Sequence, residues 1–205
     1  MLSFAKSEFI LGGQRSGKSR RAELLAHDWL ARSSSHTAVM VATATAWDSE
    51  MVERIARHQQ DRKEHVPGMT TVEEPIALAQ AIQAHSAPQT MVVVDCLTLW
   101  LTNLLMPHED AENTENTENT SKYASKVPLA QLLRAQEATL LIAIEGAAGP
   151  VVLVGNEIGL GVVPMGRETR AFVDALGRLN QGVAAACERV TFMAAGLPLT
   201  LKGQQ

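Results

Sequence analysis

The 205 residues contain only two cysteines, Cys96 and Cys187. That is too few for a disulfide framework or a structural zinc site. Both lie in apolar stretches and read as reduced core thiols. Aromatic side chains are equally scarce, with three Trp, one Tyr and four Phe, so little is available for stacking on single-stranded nucleic acid. Positive charge is not in excess: 18 Lys and Arg stand against 22 Asp and Glu, for a net charge of −4. The broad basic field that non-specific nucleic-acid binding needs is therefore missing. No apolar run reaches the roughly 20 residues a bilayer span requires. The apolar stretch around Trp100 is closed off by Asp95 and Glu109, and the start, MLSFAKSEFILGG, carries Lys6 and Glu8 where a secretory signal needs apolar residues. These absences predict a cytoplasmic protein with no membrane span and no nucleic-acid partner.

What is present is apolar content of 46 %, enough for a real core. Apolar runs at 8–11, 38–43, 91–95, 151–154 and 190–194 read as buried strands, with a short strand at 70–72. Helical patterns fall at 18–32, 48–61, 75–85, 97–106, 129–147 and 167–187. Asp48 is a natural N-cap and Pro75 suits a first helical turn. Phe172, Leu176, Leu179 and Val183 recur at helical spacing. Gly196-Leu197-Pro198 is expected to turn the chain into an antiparallel edge at 199–202. Continuous apolar strands alternating with helices predict an α/β fold, a mostly parallel sheet covered on both faces, in one domain spanning 1–205. The segment 109–126, EDAENTENTENTSKYASK, has almost no apolar content and is expected to be a flexible surface insertion. The helix at 97–106 is apolar nearly all round (Leu97, Leu99, Trp100, Leu101, Leu104, Leu105), which fits either a central helix of the monomer or a subunit interface.

One motif carries chemistry outright. Gly12-Gly13-Gln14-Arg15-Ser16-Gly17-Lys18-Ser19 matches G-x-x-x-x-G-K-[ST], between an apolar strand and an amphipathic helix. Such a loop wraps phosphate with backbone N–H groups, and glycine is needed where a side chain would block the anion. Lys18 reaches the β- and γ-phosphates, Ser19 can ligate Mg²⁺, and the helix adds its N-terminal dipole.

In a doubly wound sheet, ligands gather at the carboxyl ends of the strands. Here those ends carry Thr43-Ala44-Thr45, Asp95, Gly155-Asn156-Glu157 and Gly196. Asp95, after four apolar residues, has the position of an Mg²⁺-holding carboxylate. Arg54, His58 and Arg62 stand at i, i+4 and i+8, forming one helix stripe in which two guanidinium groups flank an imidazole. The same helix offers the pairs Glu50–Arg54, Glu53–Arg57 and Arg57–Asp61, the pattern of a salt-bridged solvent face. His27, His36, His65, His85 and His108 read as surface or loop residues.

Taken together, GGQRSGKSR (12–20), DSEMVERIARH (48–58), TVEEP (71–75), VDCLTLWLTNLL (94–105), NEIGLGVVP (156–164), GRLNQ (177–181) and AGLPLTLK (195–202) resemble the bifunctional adenosylcobinamide kinase/adenosylcobinamide-phosphate guanylyltransferase family. The resemblance implies a P-loop NTPase fold of the RecA-like, three-layer type. It implies phosphorylation of the aminopropanol hydroxyl of adenosylcobinamide from ATP or GTP. GMP transfer from GTP follows, through a guanylylated His58, giving adenosyl-GDP-cobinamide and pyrophosphate. A neutral imidazole is a competent nucleophile near neutral pH. By the same resemblance the nucleotide would be held by Gly12–Ser19, Thr43, Ala44, Thr45, Gln59, Gln60, Asp61, Arg62, Asp95 and a glutamate, Glu73 or its neighbour Glu74. Mg²⁺ would sit on Ser19 and Asp95. A homotrimer is also implied, which favours the interface reading of the helix around Trp100.

Overall fold

The computed structural model describes residues 4–46, 48–106 and 129–204. The segment 109–126, with His108 beside it, lies outside them. Seven strands and six helices alternate along the described chain. The strands are β1 (Ser7–Gly12), β2 (Thr37–Ala42), β3 (Thr70–Glu73), β4 (Thr90–Asp95), β5 (Val151–Asn156), β6 (Arg189–Ala194) and β7 (Leu197–Lys202). The helices are α1 (Lys18–Ala31), α2 (Ser49–His65), α3 (Leu78–His85), α4 (Leu97–Leu105), α5 (Leu129–Gly146) and α6 (Arg167–Ala186). They build one sheet in the order β3-β2-β4-β5-β1-β6-β7, parallel throughout except for β7. Among the described residues no helix is long and apolar enough to cross a membrane.

The central strands are buried on both faces, so their side chains alternate between two cores. Phe9 and Leu11 join Leu153, Trp100, Leu140 and Leu176 on the face covered by α3 to α6. Ile10 points the other way and meets Leu25, Met40, Val93 and Val152 under α1. This is the three-layer arrangement that continuous apolar strands require. Each fully buried side chain of this size contributes about 1.5–3 kcal/mol of transfer free energy. The RecA-like order follows from the register: β5 lies between β1 and β4, so the phosphate-loop strand and the Asp95 strand are not neighbours.

Three expectations are corrected. The terminal turn is Ala195-Gly196, a two-residue hairpin with φ of 52° and 80° at its two positions, not Gly196-Leu197-Pro198. Leu197 and Pro198 already belong to β7, where proline is tolerated because the strand is at the edge. Helix α3 begins at Leu78, not at Pro75, because the preceding backbone is used otherwise: Asn103 donates to the Pro75 carbonyl at 3.1 Å and Trp100 Nε1 to the Ile76 carbonyl at 2.9 Å. Helix α2 continues to His65, four residues past the expected end. On α4, Leu97, Trp100 and Leu101 are buried, while Leu99, Leu104 and Leu105 pack against the two cores and stay partly exposed.

Candidate nucleotide site

The phosphate loop forms where β1 runs out. Gly12, Gly13 and Gly17 serve different needs. At Gly12 a Cβ would collide with the Met193 carbonyl and the Ser16 hydroxyl. Gly17, the N-cap of α1, is left-handed at φ 97°. Gly13 supplies a carbonyl that accepts from Lys18 Nζ at 2.6 Å and from the Ser16 N–H at 3.3 Å. Gln14 and Arg15 are exposed at the tip, Arg15 also with positive φ at 54°. Ser16 is buried and its Oγ has no hydrogen-bond partner. Ser19 is half-buried in the first turn of α1.

Lys18 is 8 % exposed. Burial lowers its pKa, the nearby Cys96 and Asp95 pull it back up, and the Arg54 guanidinium pushes it down further. The end of β4 and Arg54 of α2 thus belong to the electrostatic surroundings of Lys18. Burial pushes the Cys96 thiol up to about 11, and Asp95 adds to the shift. Cys96 is thus a protonated, inert thiol at neutral pH.

The ends of β2 and β4 are locked together. The Thr43 hydroxyl donates to the Cys96 carbonyl at 2.7 Å and accepts from the Cys96 N–H at 2.8 Å, while the Thr43 N–H donates to the Asp95 carbonyl at 3.1 Å. Thr43 itself is fully buried, and Ala44 and Thr45 are half-buried beyond it. The Asp95 carboxylate makes no hydrogen bond among the described residues.

Helix α2 lies at the periphery, capped by Asp48, which accepts from the Met51 N–H at 2.7 Å. Its stripe is graded: Arg54 is exposed, His58 half-buried and Arg62 buried. Arg62 Nε has no hydrogen-bond partner, and among the described residues His58 makes no hydrogen bond. Among the described residues, none of the three carboxylate–guanidinium pairs that the spacing offers closes into an ion pair. The salt-bridged reading of this face is therefore not what the side chains adopt. Gln59 donates to Glu73 Oε1 at 3.3 Å, tying α2 to the end of β3. Glu74 is turned the other way, accepting the N–H groups of Ile76 and Ala77 at 2.9 and 2.6 Å. The two adjacent glutamates are thus separated by role, and Glu73 is the one that faces α2. Gln60 is exposed and bonded to Glu64 at 2.7 Å, and Asp61 is half-buried.

Residues 8–201 match the family described as cobinamide kinase / cobinamide phosphate guanyltransferase. The chain belongs to that family. The bifunctional adenosylcobalamin biosynthesis protein CobP of Pseudomonas aeruginosa is 42 % identical over 197 residues, covering 96 % of this chain and 98 % of that protein. The bifunctional adenosylcobalamin biosynthesis protein CobU of Escherichia coli is 35 % identical over 193 residues, covering 94 % and 98 %. A crystal structure of the flagellar accessory protein FlaH from Methanocaldococcus jannaschii shares the fold, with TM-score 0.50 over 98 % of this chain and 80 % of that one at 11 % identity.

In this member of the cobinamide kinase / cobinamide phosphate guanyltransferase family, several polar residues that sequence reasoning passed over hold the site together. Asn103 on α4 donates to the Thr43 carbonyl at 2.8 Å as well as to Pro75. The Asn156 N–H donates to Thr98 Oγ1 at 2.9 Å, and Asn180 donates to the Asn156 carbonyl at 3.1 Å. The only signal available in sequence was an asparagine inside an otherwise apolar helical pattern. Two of the histidines read as surface or loop residues make specific contacts there. His65 meets the buried carboxylate of Glu23 at 3.0 Å and so joins α2 to α1, and His36 stacks on Trp29 at 3.8 Å between ring centroids.

Proposed function

We propose that this chain is a bifunctional enzyme of cobalamin biosynthesis, an adenosylcobinamide kinase and adenosylcobinamide-phosphate guanylyltransferase. In the first step the aminopropanol hydroxyl oxygen of adenosylcobinamide attacks the γ-phosphorus of ATP or GTP, and the nucleoside diphosphate leaves. In the second, an imidazole nitrogen of His58 attacks the α-phosphorus of GTP and pyrophosphate departs. An oxygen of the adenosylcobinamide phosphate then attacks the same phosphorus, the P–N bond breaks and adenosyl-GDP-cobinamide is released.

The observation that carries this reading is the phosphate loop at 12–19 together with the Arg54–His58–Arg62 stripe on α2, whose Arg54 contributes to the electrostatics at Lys18. Backbone N–H groups of 13–19 and Lys18 hold the phosphates, and Arg54 and Arg62 supply charge where it builds up on the transferring group. The unpartnered, buried Nε of Arg62 suits an anion that has yet to arrive. Thr43, Ala44, Thr45, Gln59, Gln60, Asp61, Glu73 and Asp95 are carried as further nucleotide contacts.

Mg²⁺ fits the donor set. Ser19 offers a hydroxyl beside Lys18 and Asp95 an uncommitted carboxylate, and among the described residues no group of three acidic, His or Cys side chains forms a closed metal cage. A cation held by one or two protein oxygens and completed by water and phosphate is the habit of Mg²⁺. When bound it neutralises charge on the phosphate oxygens. A cytoplasmic homotrimer also belongs to the proposal.

The test is to incubate the protein with adenosylcobinamide, GTP and Mg²⁺ and follow products by mass spectrometry. A phosphorylated corrinoid followed by its GDP conjugate is expected. Nucleotide hydrolysis with the corrinoid unchanged would overturn the reading.

A further inference from the structure

Between the end of β5 and the start of α6 runs Ile158-Gly-Leu-Gly-Val-Val-Pro-Met165, eight residues without one hydrogen-bonding side chain. Its aliphatic groups face solvent to an unusual degree. Leu160 is 79 % exposed, Val163 74 %, and Val162 and Met165 are each 96 % exposed. A contiguous exposed apolar surface of this kind marks a binding site more often than an ordinary loop.

The loop is also braced. At its entry the Glu157 N–H donates to the Gly12 carbonyl at 3.1 Å, and Glu157 Oε1 accepts from the Gly159 N–H at 2.6 Å. At its exit Arg170 donates to the carbonyls of Pro164 and Met165, at 2.9 and 2.5 Å. Both ends are held by hydrogen bonds, so the aliphatic side chains are presented outward from an anchored backbone. The entry contact starts the loop at the strand that opens the phosphate loop.

We infer that this loop is the platform on which the corrin ring of the acceptor rests, with Leu160, Val162 and Met165 as its principal contacts. The inference rests on the proposed function and names a subsite for it. A hydroxyl that is to meet a γ-phosphate over the loop at 12–19 must enter at the carboxyl edge of the sheet. The bulk of the molecule attached to that hydroxyl must lie nearby. A corrin ring is wide, and its rim carries methyl and methylene groups between amide arms. It needs apolar contact area more than point charges, and the stretch at 158–165 supplies that and nothing else. A nucleotide is a poor occupant, because the loop has neither an aromatic ring to stack a base nor a donor for its edge.

The test is the triple variant Leu160→Ser/Val162→Ser/Met165→Ser, with cobinamide binding followed through the corrin absorbance, GTP binding by calorimetry and mass by light scattering. The dissociation constant for cobinamide should rise about tenfold, the order expected when three aliphatic contacts are lost. Affinity for GTP and mass in solution should not change, and the unchanged GTP affinity shows that the variant is folded. The single variants Val162→Ser and Met165→Ser should shift cobinamide binding in the same direction. Cobinamide binding unchanged in the triple variant, while the parent binds it, would overturn this inference alone. A fall in mass would overturn it in favour of a contact between copies of the chain. No cobinamide binding by the parent protein would overturn the proposed function first, and this subsite with it.

Discussion

The N–H of Gly196, in the hairpin turn between β6 and β7, donates to the carbonyl of Ser16 in the phosphate loop at 3.0 Å. The two segments are far apart in sequence and meet because β6 lies beside β1. The turn thus acts as a brace for the loop, and the approach is close: a Cβ on Gly17 would lie 3.2 Å from Gly196 Cα.

Gly17→Ala should therefore disturb the loop twice, through a left-handed φ and through the lost clearance. Strain of about 1–3 kcal/mol is expected, which corresponds to about one to two orders of magnitude in triphosphate affinity if it is expressed in the loop. Titration calorimetry with GTP measures it, and an unchanged affinity would contradict the brace.

Lys18 should separate binding from stability. Burial lowers its pKa from 10.5 in the folded chain. Between the lowered value and 10.5 the unfolded chain holds more protons, so this residue's contribution to stability rises with pH across that window. Burial disfavours its charged form. Lys18→Met should raise the thermal midpoint of the nucleotide-free protein at neutral pH and flatten the alkaline dependence. The same variant should lose triphosphate binding in calorimetry. A lower midpoint would show that the ammonium is a net stabiliser.

Glu8 is a buried hub. Its carboxylate accepts from Arg21 Nε at 2.9 Å and from Thr191 Oγ1 at 2.8 Å, and it meets Arg189 at 3.4 Å. Glu8→Ala removes the shared acceptor of two shielded guanidinium groups. A loss of about 3–5 kcal/mol is expected, read from the urea midpoint. A loss under about 1 kcal/mol, the range of an exposed pair, would contradict the assignment.

Thr43→Val keeps shape but removes the hydroxyl that accepts from the Cys96 N–H. That buried donor is left unpaired, at about 1–3 kcal/mol. A denaturant midpoint unchanged from the parent would show that Thr43 does not fasten β2 to β4.

The strands and the phosphate loop were legible because their signals are local: Val92, Val93 and Val94 can only be a buried strand, and the spacing from Gly12 to Ser19 admits few meanings. What stayed hidden depends on partners distant in sequence. Trp100 gave no sign of whether it faced another subunit or, as found, the Ile76 carbonyl of its own chain. Pro75 pointed to a helix start, yet the carbonyls of Pro75 and Ile76 are taken by α4. His65 read as a surface residue, and nothing local signalled that it would meet Glu23 of α1. Choosing between Glu73 and Glu74 required seeing that one caps a turn and the other meets Gln59. The stripe Arg54–His58–Arg62 was readable, but the influence of Arg54 on Lys18 was not, because no local pattern records how α2 is placed in the fold.

The central claim is that His58 carries GMP, and one measurement addresses it directly. The protein is incubated with GTP labelled at the α-phosphate and with Mg²⁺, then denatured, and label retained on the protein is counted for the parent, His58→Ala and Arg62→Met. The account predicts label on the parent that is lost in acid and kept in base, as a phosphoramidate behaves. It predicts none on His58→Ala, and slower but complete labelling of Arg62→Met, since a guanidinium stabilises charge and forms no bond. Phosphorylation of adenosylcobinamide by His58→Ala should continue. Label retained by His58→Ala would contradict the account and place the nucleophile elsewhere.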